Sequence, residues 1–388
     1  MIPTRAALGI PAAVLILSGC GVAAAHEPRT STVSVSLPKA PDVPSASHPL
    51  RPLRVIPATP TYIVATVGTG GAGERLEIMT SSGTVVAKTE ITPTEPWMTA
   101  AGAGGAYWTE NGAEYELTIS GAVHELGLVP GDATGVLIGP DGSSYAYATS
   151  DQLQSGSLVN RIVVVRPGGV TKVIGDRVSN PNNPTADAPD GWTYYLVSWT
   201  EPGIAFARVP SGGCGCGSFD MQMQSAYSAI IDPVSEGETT VTADTSCPLS
   251  DVGPALESVC FAGTSATDAI RISSAGTVTH TYALSGKNFA GDALFSADGN
   301  QLAYVTIPVA EEQCGATITT TLRVLNVATG TAVSRAMGDF VPAAWSGGLI
   351  YGSVTAGAET RLVAVNPVTL SVTRLTPDGS GDAIIGIM

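Results

Sequence analysis

Two stretches decide the fold: LFSADGNQLAYVT (294–306) followed by TLRVLNVATGTAV (321–333), and LIGPDGSSYAYAT (137–149) followed by RIVVVRPGGVTKVI (161–174). Each reads as strand, tight turn, strand, connection, strand, second tight turn, strand. Asp141-Gly142, Asp298-Gly299 and Gly168-Gly169 supply the positive-φ positions that tight hairpins need. Working outward, a small or apolar residue followed by an aromatic recurs just after a turn: Ala106-Tyr107, Ala146-Tyr147, Ala205-Phe206, Cys260-Phe261, Ala303-Tyr304 and Ile350-Tyr351, with Val64 as a degenerate first member. Most steps between these positions are 40 to 47 residues, and two are wider, at 59 and 55. No stretch after residue 60 keeps the i, i+3, i+4, i+7 apolar spacing of a helix. A strand-only repeat of this length is the signature of a β-propeller with one four-stranded blade per repeat.

The 137–149 and 294–306 stretches resemble the TolB-type propeller repeat, S-P-D-G-x-x-[IL]-A-[FY] followed by a strand and a Gly-containing turn. The resemblance implies fold and is close only in the third and sixth units. It says little about activity, because propellers carry binding modules and enzymes alike. The fold class expected is all-β, a seven-bladed β-propeller, with six or eight blades as alternatives; six would leave one occurrence of the motif unplaced. The first unit has strands near 62–67, 75–80 and 84–91 but no strand before them. The chain ends in Asp382-Ala383-Ile384-Ile385-Gly386-Ile387-Met388, which aligns with Asp292-Ala293-Leu294-Phe295-Ser296. This C-terminal segment is expected to complete the first blade and close the ring.

The N-terminal residues MIPTRAALGIPAAVLILSGC (1–20) carry one basic residue, Arg5, and an apolar run too short to span a bilayer. Leu17-Ser18-Gly19-Cys20 resembles the lipobox of bacterial lipoproteins. That implies a signal peptide over 1–20, cleavage before Cys20, and acyl chains such as palmitate on the new terminus. Residues 21–60 hold Pro28, Pro38, Pro41, Pro44, Pro49, Pro52, Pro57 and Pro60, and read as an extended linker. Residues 61–388 make the propeller domain. The expected location is extracytoplasmic, lipid-anchored to a bacterial cell membrane.

Charged residues are only 13%, with 45 Gly and 27 Pro, as suits a turn-dense β protein. A net charge of −15 argues against a nucleic-acid partner, which needs a basic footprint. In a propeller, the A–B and C–D turns share one face and the B–C and D–A connections share the other. The long segments, 150–159, 210–220, 308–317 and 175–192, all fall in the second class. They point to a protein or small-molecule partner on that face, away from the tether. Asn180, Asn182, Asn183, Asp187, Asp190 and Trp192 combine amides, carboxylates and an aromatic anchor suited to such contact. The competing account makes Trp192 a plug between blades.

An acid precedes or opens each inner strand: Glu95, Asp132, Asp190, Asp251, Asp292, Asp339 and Asp382. Crowded at the channel mouth, they would suit Ca²⁺; the plainer account is turn capping. Beyond Cys20 there are five cysteines, Cys214, Cys216, Cys247, Cys260 and Cys314, so at least one is unpaired within the chain. Cys214 or Cys216 is expected to bond Cys247 between neighbouring loops, with Cys260 in the core. The histidines are His26, His48, His124 and His280, two of them in the linker. No G-x-S-x-G, H-E-x-x-H or phosphate-binding motif is present. The leading reading is therefore a binding module with no chemistry and no cofactor. The alternative is a propeller enzyme, such as a quinone-dependent sugar dehydrogenase or a Ca²⁺-dependent lactonase, against which the apolar inner strands count.

Overall fold

The computed structural model describes residues 61–68, 73–92, 98–153, 157–179, 192–210, 227–242, 247, 249–253, 257–263, 266–274, 276–309, 319–356, 359–376 and 383–388. The first described strands are β1 (Tyr62–Gly68), β2 (Glu74–Thr80) and β3 (Val85–Ile91). Blade 2 is β4 (Thr99–Ala101), β5 (Gly105–Glu110), β6 (Ala113–Thr118) and β7 (Val123–Leu128). Blade 3 is β8 (Thr134–Ile138), β9 (Tyr145–Gln152), β10 (Leu158–Arg166) and β11 (Val170–Ser179). Blade 4 is β12 (Trp192–Thr200), β13 (Gly203–Pro210), β14 (Tyr227–Ile231) and β15 (Glu238–Thr242). Blade 5 is β16 (Leu249–Val252), β17 (Glu257–Ala262), β18 (Ala269–Ser274) and β19 (Thr277–Ala283). Blade 6 is β20 (Asn288–Phe295), β21 (Gln301–Pro308), β22 (Thr321–Asn326) and β23 (Ala332–Ala336). Blade 7 is β24 (Asp339–Ser346), β25 (Leu349–Ala356), β26 (Glu359–Val365) and β27 (Val372–Arg374).

The last strand, β28 (Ala383–Ile387), pairs antiparallel with β1 and completes blade 1 in the order β28-β1-β2-β3. Seven four-stranded sheets result, each ordered from inner to outer strand, and the ring closes as the sequence implies. Val64 pairs with Gly386, and Met388 N–H donates to Tyr62 O at 2.9 Å. Gly386 is needed at this point: a Cβ there would lie 2.9 Å from Cβ of Ala101 on the inner strand of blade 2.

The core consists of the seams between blades. Val64, Ile78, Trp108 and Leu117 fill the seam of blades 1 and 2. Ala146, Ile162, Tyr194 and Phe206 fill that of blades 3 and 4, and Val305, Val324, Phe340 and Val365 that of blades 6 and 7. The recurrent aromatics are all buried, with Tyr107 and Phe206 at 0% exposure. They do not all point the same way, however. Tyr147, Phe206 and Tyr304 pack toward the preceding blade, whereas Tyr107, Phe261 and Tyr351 pack toward the following one. A one-residue slip along a strand moves a side chain to the other face, so the motif marks two positions one residue apart.

The connections divide sharply by face. A–B and C–D turns run to six residues at most, whereas 180–191, 211–226 and 309–320 all join strands on the opposite face. The expected loop 150–159 is mostly paired strand instead: Ser150 pairs with Asn160 and Gln152 with Leu158, leaving only 153–157 between β9 and β10. Likewise β11 runs on to Ser179, which shortens the expected loop 175–192. The chain reaches β1 on the short-turn face, where Thr61 Oγ1 lies 3.3 Å from Ser346 Oγ beside the A–B turn of blade 7.

Candidate functional site

Two of the long connections spring from one place. Trp192, the first residue of β12, pairs with Pro210, the last of β13, while Arg208 pairs with Tyr227, the first of β14. The strand ends that flank segments 180–191 and 211–226 therefore lie side by side. Aromatic and cation–π contacts tie these strand ends together. The Arg208 guanidinium sits 4.6 Å from the Trp192 ring centroid and 4.3 Å from that of Tyr227, a cation–π contact to both rings. Trp192 also packs edge-on against Tyr194 at 5.0 Å, and Tyr194 against Phe206 at 4.9 Å.

A polar chain ties the same point to blade 3. Ser179 Oγ donates to Trp192 O at 3.2 Å and accepts Asn160 Nδ2 at 3.2 Å. Ser150 Oγ donates to Asn160 Oδ1 at 2.5 Å and lies 2.7 Å from Thr193 Oγ1. Below, Glu238 receives Arg177 at 3.0 Å and Tyr227 Oη at 3.3 Å. Arg208, Tyr227, Asn160 and Ser179 make these contacts and carry no motif; Ser179, Arg208 and Tyr227 are marked in the sequence only by lying near the ends of the two long segments, and Asn160 by nothing.

Of the proposed contact residues, Trp192 is 5% exposed and belongs to the seam of blades 3 and 4, which is the plug account. Asn180, Asn182, Asn183, Asp187 and Asp190 lie outside the described residues, as do Cys20, Cys214, Cys216 and Cys314. Among the described residues Cys247 bonds Cys260, not Cys214 or Cys216 as expected. Cys260 occupies the small position next to the recurrent aromatic, and Cys247 lies on the connection just before β16, so the bond fastens the link from blade 4 to β17.

Glu95, Asp190 and Asp382 also lie outside the described residues. Among the described residues no group of three His, Cys, Asp or Glu side chains is placed to hold a metal ion. Asp132 is exposed ahead of β8. Asp292 sits at φ 50° in a bulge of β20. Beside that bulge, Ser250 Oγ accepts Ala293 N–H at 3.0 Å and Asp251 Oδ2 accepts Phe295 N–H at 2.9 Å. These bonds join the inner strands of blades 5 and 6. Burial pushes the Asp251 carboxyl up to about 7 against the pull of the Phe295 and Val252 amides. Burial also raises Asp339, and burial together with nearby Asp292 raises Tyr195. The inner-strand acids Asp251 and Asp292 thus serve or flank the junction of two blades.

No family model matches the sequence, and no curated protein matches it. Among solved structures, a protein from Lactobacillus plantarum superposes with a TM-score of 0.50 at 12% identity, over 84% of this chain and 98% of that one. Oligogalacturonate lyase in complex with manganese gives 0.48 at 12% identity over 81% and 84% of the two chains. TolB from Acinetobacter baumannii gives 0.43 at 13% identity over 84% and 67%. At such identities the likeness is one of fold. The class defined is a seven-bladed, all-β propeller.

Proposed function

We propose that this is a lipid-anchored, extracytoplasmic binding propeller that holds a protein or small-molecule partner on its long-connection face. The observation that carries the reading is the pairing of Trp192 with Pro210. It brings the strand ends that flank 180–191 and 211–226 together over an aromatic cluster, on the face opposite the one where the chain reaches β1. Connections raised on a rigid scaffold are the usual seat of recognition. The Cys247–Cys260 bond supports an oxidising compartment, and the lipobox-like segment supports a tether at Cys20. A net charge of −15 favours cationic partner surfaces.

The test replaces 180–191 and 211–226, each with a short glycine-containing turn. The fold should persist and partner capture should be lost; undiminished capture would move the site elsewhere. Cys20→Ser should abolish lipid labelling and release the domain from membranes.

A further inference from the structure

Glu114 sits in the middle of a seam and has no ion-pair partner among the described residues. It lies on β6 between Thr109 of β5 and Gly127 of β7, with 0% exposure. Thr109 Oγ1 donates to Oε2 at 2.6 Å, and Oε1 is buried with no hydrogen-bond partner. Alternation along β6 turns Glu114 and Glu116 toward blade 3, while Tyr115 and Leu117 face blade 1. Tyr145 of β9 approaches from blade 3. Its hydroxyl donates to Leu128 O at 3.1 Å, and a Cβ at Gly127 would lie 2.7 Å from it.

Among the described residues no Lys, Arg or His forms an ion pair with Glu114, and Arg161 of β10 pairs with Asp151 and Asp176. On the same face of blade 2, Tyr107 Oη donates to Glu116 Oε1 at 3.2 Å. On β7, His124 pairs with Glu116 and Glu125 with Tyr115. Blade 3 contributes Tyr145 and Tyr147, with Asp132 and Asp141 at the ends of its inner strand. β3 carries Lys88 and Glu90 and packs on the other face of blade 2. No Lys or Arg occurs between Lys88 and Arg161, a stretch that includes all of blade 2 and the inner half of blade 3. An ionised carboxylate here would be buried with one neutral hydrogen bond and no ion pair, an arrangement that strongly favours the protonated form.

We propose that Glu114 is a proton-held latch of the seam between blades 2 and 3: protonated, it lets the two blades pack; ionised, it opens that seam ahead of the rest of the ring. Burial pushes the Glu114 carboxyl up to about 8, with the Thr109 hydrogen bond pulling the other way. The direction of the pH effect follows. Between the ordinary glutamate value of about 4.3 and about 8, the closed seam keeps a proton that an opened one has lost. Closure is thus fully supported below that window, weakens as pH rises through it, and levels off above.

The experiment is hydrogen exchange of the whole domain from pH 5 to 9, corrected for intrinsic rates. Protection of β6 and β9 amides should fall with pH, by up to about tenfold per unit, while β22 and β26 amides change far less. Glu114→Gln should make the β6 and β9 profiles flat. Thr109→Val keeps the carboxyl but removes its hydrogen bond, and should extend the fall to higher pH; this variant decides the matter if Glu114→Gln does not fold. Equal pH profiles in wild type and Glu114→Gln, a loss shared evenly by all blades, or no shift in Thr109→Val would each overturn the proposal.

Discussion

Trp192 stands opposite Pro210 in the pairing of β12 with β13, and this single register brings together strand ends that flank two long connections. The indole is held by Tyr194 on its edge and Arg208 over its face. Trp192→Ala should therefore act on stability first. Truncating a buried tryptophan costs roughly 3–5 kcal/mol, so the melting temperature should drop by many degrees. A variant that melts like wild type would place Trp192 at a surface and remove the aromatic cluster from the account.

Ring closure makes a separate demand. Gly386 faces Ala101 across the inner strands of blades 2 and 1, with room for no Cβ. Gly386→Val should overpack this point and cost about 1–3 kcal/mol. Deleting 383–388 should do more, because it leaves β1 as an unpaired inner edge. Chemical denaturation should show a lower midpoint for the point variant and a broad transition for the truncation. A truncated domain that unfolds as cooperatively as the full one would contradict closure by β28.

The seam of blades 4 and 5 holds a small apolar cluster, Ala205, Ile230, Val241, Leu249 and Val252. The Cys247–Cys260 bond fastens the chain just where it crosses that seam. Replacing both cysteines with serine should destabilise the domain by roughly 2–4 kcal/mol. Reductant should lower the melting temperature of wild type to that of the double variant and leave the variant unchanged. A reductant effect that persists in the double variant would locate the relevant bond elsewhere.

The turns and the closing strand were legible because their chemistry is local. Pro140-Asp141-Gly142 and Ala297-Asp298-Gly299 form the A–B turns they announce, with Gly142 at φ 66° and Gly299 at φ 69°. The seams were not legible, because they depend on which face of a strand meets which neighbour. Tyr304 and Tyr351 share one motif yet point to opposite neighbours, since a slip of one residue reverses a strand's faces. Glu114 sits in an alternating Glu-Tyr-Glu-Leu run that reads as an ordinary half-exposed strand, yet it is fully buried on the face that packs against blade 3. Cys247 and Cys260 are separated by 13 positions, with nothing in that spacing to choose between Cys260 and Cys214 or Cys216.

The central claim is that recognition takes place on the long-connection face. Photo-crosslinking in cells tests it most directly, with the reactive residue placed at Leu153 or Val309 on that face, and at Val234 or Val368 on the short-turn face. All four side chains are exposed, at 44%, 37%, 70% and 73%. The account predicts one discrete adduct, shared by positions 153 and 309 and absent from 234 and 368. The same adduct from 234 or 368, with none from 153 and 309, would contradict it.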